Sequence, residues 1–405
     1  MNNLVSNRLG GKNFFDNPAI YRFSKLIALK NEIIKNSDKE LLNFGIGEPL
    51  DKPSKEVLSS FGRHVFEDGS NYYTDNGIEE FNEAARFYMN RVYDVEINND
   101  EVIHCIGAKE ALTILPLCFV NEGDIVLSCS PGYVVLENMS KWLGGKVIHL
   151  KLKEENNYLP NFNDLEEEIL LNTKILYLNY PNNPTGAIAS KEFYEECINY
   201  AKKYNFIIVS DAAYLPLTYE KENKLSFLNV KGAKDVGVEV HTLSKGFNMT
   251  GFRIGFVVGN KNIIKVFSTV KENMDSGQYK PIQYAAITAL NDELNLNKMN
   301  EKYKRRQSLL YRILNKLNFK TNIPKAGFYQ YVKVPDFIGD FKIESAEDFA
   351  KFLLEKEQIF VIPYDNEGKY IRFSLTFIGE SFKDDINYLE KLYLRLKKYV
   401  FRYLD

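Results

Sequence analysis

Residues 101–119 read EVIHCIGAKEALTILPLCF, and this stretch sets the fold. Its first part is a short β-branched run, its second carries apolar residues at helical spacing, and a glycine marks the turn between them. The pairing repeats downstream. DIVLSCS (124–130) precedes YVVLENMSKWL (133–143); KVIHLKL (146–152) and KILYLNY (174–180) precede a helical pattern over Lys191–Tyr204; FIIVSD (206–211) follows. This alternation predicts an α/β fold whose mostly parallel sheet has helices on both faces.

Two further strand-like runs, VEVHTL (238–243) and FRIGFVVG (252–259), bracket SKGFNMTG, and amphipathic helices are expected over 262–290. From Asn291 the character changes. A long charged helix (NEKYKRRQSLLYRILNKL), the run FYQYVKV, a helix around Ala346–Glu357, the run IRFSLTF and a basic terminal helix read as a smaller α+β domain. The charge run at 302–306 reads as a solvated helix face. With 405 residues the chain exceeds the roughly 250 to 300 that one core usually supports. The expected division is 1–50 as an N-terminal arm and part of the small domain, 51–290 as the large domain, and 291–405 as the small C-terminal domain.

Apolar residues make up 45% and charged residues 26%, with a formal net charge of −2, so nothing calls for nucleic acid. No run approaches the roughly 18 apolar residues of a membrane span, and the N-terminus lacks the apolar core of a signal peptide. Cys105, Cys118, Cys129 and Cys197 show no CxxC spacing and read as buried free thiols, which fits a reducing cytoplasm. No metal is expected.

Several polar groups fall at the C-terminal ends of predicted strands, where ligands bind in open α/β sheets. They are Gly107, Ala108 and Lys109; Asn183; Asp211 with Tyr214; and Lys245 with Arg253. A lysine at the mouth of a sheet, desolvated and flanked by cations, becomes a Schiff-base nucleophile; alone, Lys245 would read as one more surface lysine. Ser244, Arg253 and the backbone at Ala108 and Lys109 suit a phosphate, aided by the positive end of a helix starting near Gly107. Asp211 ends a buried strand, where an ionised carboxylate needs a cation such as a protonated pyridine nitrogen; capping a turn is the alternative. Tyr214 can donate to a phenolate oxygen. The segment YPNNPTG (180–186) is a turn by propensity and also presents Asn183 to a ligand. Arg372 lies in an apolar run and needs an anion, either a substrate carboxylate or a structural partner.

From GIGEP at Gly45 to IRFSLTF, these motifs occur in the order found in the class I/II aminotransferases of pyridoxal-5′-phosphate (PLP) fold type I, and the chain resembles that family. The resemblance implies a large domain with a mostly parallel sheet plus a smaller α+β domain. It implies PLP as cofactor, a homodimer with shared active sites, and amino-group transfer between an amino acid and a 2-oxo acid by a ping-pong route. Lys245 then corresponds to the Schiff-base lysine and proton shuttle, Asp211 to the pyridinium partner, and Tyr214 and Asn183 to donors to the phenolate oxygen. Tyr133 corresponds to a ring-stacking residue. Ala108, Lys109, Ser244 and Arg253 match the phosphate cup, and Arg372, Asn183 and the backbone of Gly47 match the α-carboxylate site. Tyr73 matches a tyrosine that reaches the partner's phosphate, although the spacing to Gly77 also suits Tyr72.

Within the family, NYYTDNGIEEF, YLNYPNNPTGA, GAKDVGVEVHTLSKGFNMTGFRIGF, DSGQ and YIRFSLTF are most similar to the LL-diaminopimelate aminotransferases. That similarity implies LL-diaminopimelate and 2-oxoglutarate as substrates in lysine biosynthesis. It also makes Asn273, Ser276 and Gln278 candidates for reading the distal end of a substrate. The same scaffold hosts aspartate and aromatic aminotransferases, β-lyases, decarboxylases and amino-acid oxidases or hydroxylases, because the cofactor supplies the electron sink in all of them. A PLP-binding DNA regulator is disfavoured by the short stretch before Gly45. A dinucleotide-binding fold is disfavoured because GIGEPL lacks the third glycine.

Overall fold

The computed structural model describes residues 4–15, 24–36, 39–379 and 381–404. Seven strands form the main sheet: β1 (Val102–Cys105), β2 (Ile125–Ser130), β3 (Lys146–Lys151), β4 (Thr173–Asn179), β5 (Ile207–Asp211), β6 (Gly237–Thr242) and β7 (Gly255–Gly259). Their order is β3-β2-β4-β5-β6-β7-β1. Only β7 runs against its neighbours, pairing antiparallel with both β1 and β6. The expected mostly parallel sheet is therefore present.

Apart from the edge strand β3, which is largely exposed, the strands are buried on both faces, which is why they read as continuous apolar runs. Alternate residues feed different cores. Leu127, Leu176, Leu178 and Ile208 belong to one cluster, and Val126, Ile175, Tyr177 and Val209 to the other. The helix Ala108–Phe119 (α1) packs on the second face, and the helix Lys191–Tyr204 falls where its periodicity predicts it.

A separate cluster gathers Leu42, Phe44, Leu310, Leu314, Phe349, Leu353, Phe373 and Leu389. It is built on the long helix Glu293–Lys316 (α2), the helices Ala346–Glu357 and Phe382–Leu396, and strands β8 (Tyr329–Lys333), β9 (Ile362–Tyr364) and β10 (Tyr370–Ser374). These three strands form an antiparallel sheet in the order β9-β10-β8. Leu42–Asn43 pairs parallel with Ile359–Phe360, tying the segment before Gly45 to this second core. Of the N-terminal arm, residues 1–3, 16–23 and 37–38 lie outside the described residues.

Two expectations are corrected. The charge run at 302–306 is only in part a solvated face: Lys304 is exposed, but Arg306 is fully buried, Lys302 reaches Asp51 at 2.8 Å, and Arg305 Nε donates to Asp385 at 2.9 Å. The helix turns this side toward carboxylates that the local pattern does not reveal. Arg253 is not in a strand: it sits two residues before β7 with φ +53°, after a single 3-10 turn over Thr250–Phe252. Cys105, Cys129 and Cys197 are buried free thiols, while Cys118 is half-buried. Among the described residues, no helix is long and apolar enough to cross a membrane.

Candidate active site

The C-terminal ends of β1, β4, β5 and β6 lie along one edge of the main sheet, because these strands share one direction. Asp211 is the last residue of β5 and is buried. Its Oδ1 accepts from the Ala213 N–H at 3.1 Å and its Oδ2 from the Tyr177 hydroxyl at 3.0 Å. It thus caps a turn with one oxygen and holds the Tyr177 hydroxyl with the other. Burial pushes its carboxyl up to about 6, against the pull of these hydrogen bonds and of His241 and Lys245. Asn179, in register with Asp211 on the adjacent strand, donates to the Asp211 carbonyl at 3.1 Å and accepts from the Asn183 N–H at 3.0 Å.

Lys245 follows β6 in the single turn Leu243–Gly246, which Thr242 caps by accepting from the Ser244 N–H. Its Nζ donates to the carbonyl of Gly47 at 2.8 Å. Burial, helped by Arg372 and Arg253 and opposed by Glu48 and Asp211, lowers its pKa to about 8. An amine with that pKa is still mostly protonated near neutral pH, but its neutral, nucleophilic fraction is far larger than that of an ordinary lysine.

Arg253 Nη1 donates to Ser244 Oγ at 3.3 Å and to the Thr250 carbonyl at 2.8 Å. Gly107, at φ +75°, lets this guanidinium approach the start of α1: a Cβ there would lie 2.6 Å from Arg253 Nη2. Ser244, Arg253 and Gly107 are thus brought together at the start of α1, whose first two residues are Ala108 and Lys109, while the Lys109 side chain is exposed.

Arg372, on β10, is buried. It donates to Asn183 Oδ1 at 3.0 Å, the Tyr364 hydroxyl at 3.4 Å and the Gly45 carbonyl at 3.4 Å. Its guanidinium carbon lies 4.1 Å from the centre of the Tyr329 ring. A Cβ on Gly47 would be 2.9 Å from the Tyr329 hydroxyl, so that glycine lets the backbone close on Tyr329, with Arg372 Nη2 at an ordinary 3.7 Å.

Tyr214 is buried and its hydroxyl pairs with that of Tyr329 at 3.0 Å. Tyr133 is half-buried beyond the end of β2, near enough to Tyr177 to raise its pKa. Tyr72 and Tyr73 are 67% and 83% exposed in the single chain, so neither joins this site from within. Lys280 lies 5.4 Å over the Tyr72 ring. The backbone N–H groups of Thr74 and Asp75 donate to the Ser276 carbonyl, joining the tyrosine loop to the loop that holds the distal candidates. In that loop, Gln278 is buried and donates to the Phe252 carbonyl at 2.8 Å, while Asn273 is exposed and donates back to Thr269 at 2.8 Å.

A family model described as aminotransferase class I and II matches residues 39–377. The chain belongs to the class I and II aminotransferases. This aminotransferase is 44% identical over 381 residues to the LL-diaminopimelate aminotransferase of Methanocaldococcus jannaschii, covering 93% of this chain and 91% of the relative. It is 41% identical to the protein of the same name from Methanococcus maripaludis, covering 94% and 92%. Among solved structures, an aspartate aminotransferase double mutant from Thermus thermophilus superposes with a TM-score of 0.85 at 27% identity, covering 97% and 99%. The fold is aspartate-aminotransferase-like, PLP fold type I.

Sequence reasoning missed Tyr177, Asn179, Tyr329 and Tyr364. Asn179 carried a signal, since it ends a predicted strand four residues before Asn183. The tyrosines looked like ordinary strand aromatics.

Proposed function

We propose that this aminotransferase holds PLP on Lys245 and exchanges an amino group between LL-diaminopimelate and 2-oxoglutarate. The placement of Lys245 carries the chemistry: a buried amine donating to the Gly47 carbonyl, lowered to about 8 and within the electrostatic influence of Asp211, Arg253 and Arg372. The substrate assignment rests on full-length relatives of that name.

The donor set fits the cofactor. Asp211 is a buried carboxylate flanked by neutral donors and pushed up to about 6, so a cation opposite it would relieve its desolvation. Gly107 leaves a cradle that a Cβ would fill. When bound, PLP supplies an electron sink for carbanionic character at Cα. Asp211 keeps the pyridine nitrogen protonated, and Ser244, Arg253 and the amides of Ala108 and Lys109 take the phosphate. Tyr214 and Asn183 donate to the phenolic oxygen, and Tyr133 covers the ring. Arg372 clamps the substrate carboxylate with Asn183 and the Gly47 backbone, and Lys245 moves the Cα proton.

We assign residues 51–290 to the cofactor-binding domain, and 1–50 with 291–405 to the arm and small domain, in keeping with the separate cores. The exposed Tyr72, Tyr73, Phe66 and Met274 support a homodimer in which Tyr73 reaches the neighbouring phosphate. The free thiols support a cytoplasmic enzyme.

A visible absorption spectrum of the purified protein tests this reading. The visible band of the loaded enzyme should fall on adding LL-diaminopimelate and return with 2-oxoglutarate as glutamate forms, and Lys245→Ala should abolish both. A response only to aspartate or aromatic amino acids would keep the aminotransferase and remove the substrate. Oxygen uptake would instead indicate an oxidase. No band after adding PLP would overturn the reading.

A further inference from the structure

We propose that Tyr329 is a positioning residue with two separable tasks: its ring sets the Arg372 guanidinium, and its hydroxyl directs the proton of Tyr214. The inference rests on the assigned roles of those two residues.

Strand register places the ring. Ser374 on β10 is opposite Tyr329 on β8, and Arg372 is opposite Tyr331. Tyr329 is therefore the diagonal neighbour of Arg372 on the same face of the sheet, within reach of a long side chain. The guanidinium carbon stands 4.1 Å from the ring centre, a cation–π contact that holds the fork without consuming any of its N–H donors. In the guanidinium plane, Nη1 reaches Asn183 and Tyr364 and Nη2 reaches the Gly45 carbonyl, so the ring and these acceptors together fix the orientation of the fork.

The hydroxyl lies 3.0 Å from Tyr214 Oη, where either oxygen can donate, and is placed to donate to the Gly47 carbonyl at 3.3 Å. Gly47 O already accepts from Lys245 Nζ at 2.8 Å. Tyr214 Oη is the nearer acceptor, and once the Tyr214 proton is given to the cofactor's phenolic oxygen only the Tyr329 proton can bridge the two hydroxyls, so Tyr329 donates there. Tyr214 then has its own proton left for the cofactor's phenolic oxygen, and donation into its oxygen makes it a stronger donor. Gly47 is part of this arrangement, since a Cβ there would sit 2.9 Å from Tyr329 Oη.

Tyr329→Phe and Tyr329→Leu separate the tasks. Tyr214 stabilises the anionic oxygen, so losing the hydroxyl should raise the pH midpoint of the visible absorbance change of the loaded enzyme by about half a pH unit. In Tyr329→Phe the KM for amino acid should stay within about twofold, because the ring remains. Tyr329→Leu should show the same midpoint shift and also raise KM roughly tenfold, at one cation–π contact in a desolvated site. A midpoint in Tyr329→Phe that is unchanged or lowered overturns the hydroxyl's task. An unchanged KM in Tyr329→Leu overturns the ring's. Failure of the underlying reading is distinct: the wild-type protein would then show no cofactor band attached through Lys245.

Discussion

Arg372 Nη1 donates to Asn183 Oδ1 at 3.0 Å, so a strand of the small core and the turn after β4 meet in one hydrogen bond. The asparagine thereby orients the fork. In Arg372→Lys the charge remains, but a compact ammonium cannot present two parallel donors to a carboxylate or lie flat on Tyr329. KM for the amino acid should rise about 10- to 100-fold, corresponding to one charged hydrogen bond of roughly 1.5–3 kcal/mol. The visible band of the loaded enzyme should persist. Steady-state kinetics alongside spectra check this, and an unchanged KM would remove Arg372 from the carboxylate site.

Asp211 predicts a pH signature in the cofactor-free protein. Its native carboxyl titrates at about 6, whereas an unfolded Asp titrates near roughly 3.9. Between these values the folded chain keeps a proton that the unfolded chain has lost. Stability therefore falls as pH rises through that window, by at most roughly 3 kcal/mol at 1.36 kcal/mol per pH unit. Asp211→Asn should lack this decline. Urea unfolding of both apoproteins from pH 4 to 7 should show the variant gaining on wild type as pH rises. A difference that does not vary with pH would contradict the buried, uncompensated carboxylate.

The architecture was legible because a parallel sheet covered on both faces leaves continuous β-branched runs, and β2, β4, β5 and β6 all lie on such runs. Asp211, Lys245 and Asn183 were legible for a related reason: strand ends can be read, and ligands gather there. What depended on long-range register was not. Tyr329, Tyr364 and Arg372 come together only because β8, β9 and β10 pair as they do, and no local pattern encodes which residues of separate strands face each other. The left-handed backbone of Arg253 was also hidden, since a non-glycine positive φ leaves no mark in hydrophobic spacing.

The buried part of 302–306 has its own test. Arg306 and Asp385 form an ion pair at 2.7 Å with both side chains fully buried. The remaining Arg306 donors go to the carbonyls of Leu375 at 2.7 Å, Phe377 at 2.8 Å and Gly379 at 3.1 Å. The guanidinium thus fastens the chain that leaves β10, three residues after Arg372. Asp385→Asn strands a buried cation and should cost about 3–5 kcal/mol in urea unfolding, whereas an isolated surface pair would cost under roughly 1 kcal/mol. Replacing both partners, as Arg306→Met with Asp385→Leu, removes the stranded charge but leaves three carbonyls without their donor. The double variant should therefore recover only part of the loss. Full recovery would mean that the ion pair, and not the anchoring of residues 375–379, is the structural contribution of Arg306.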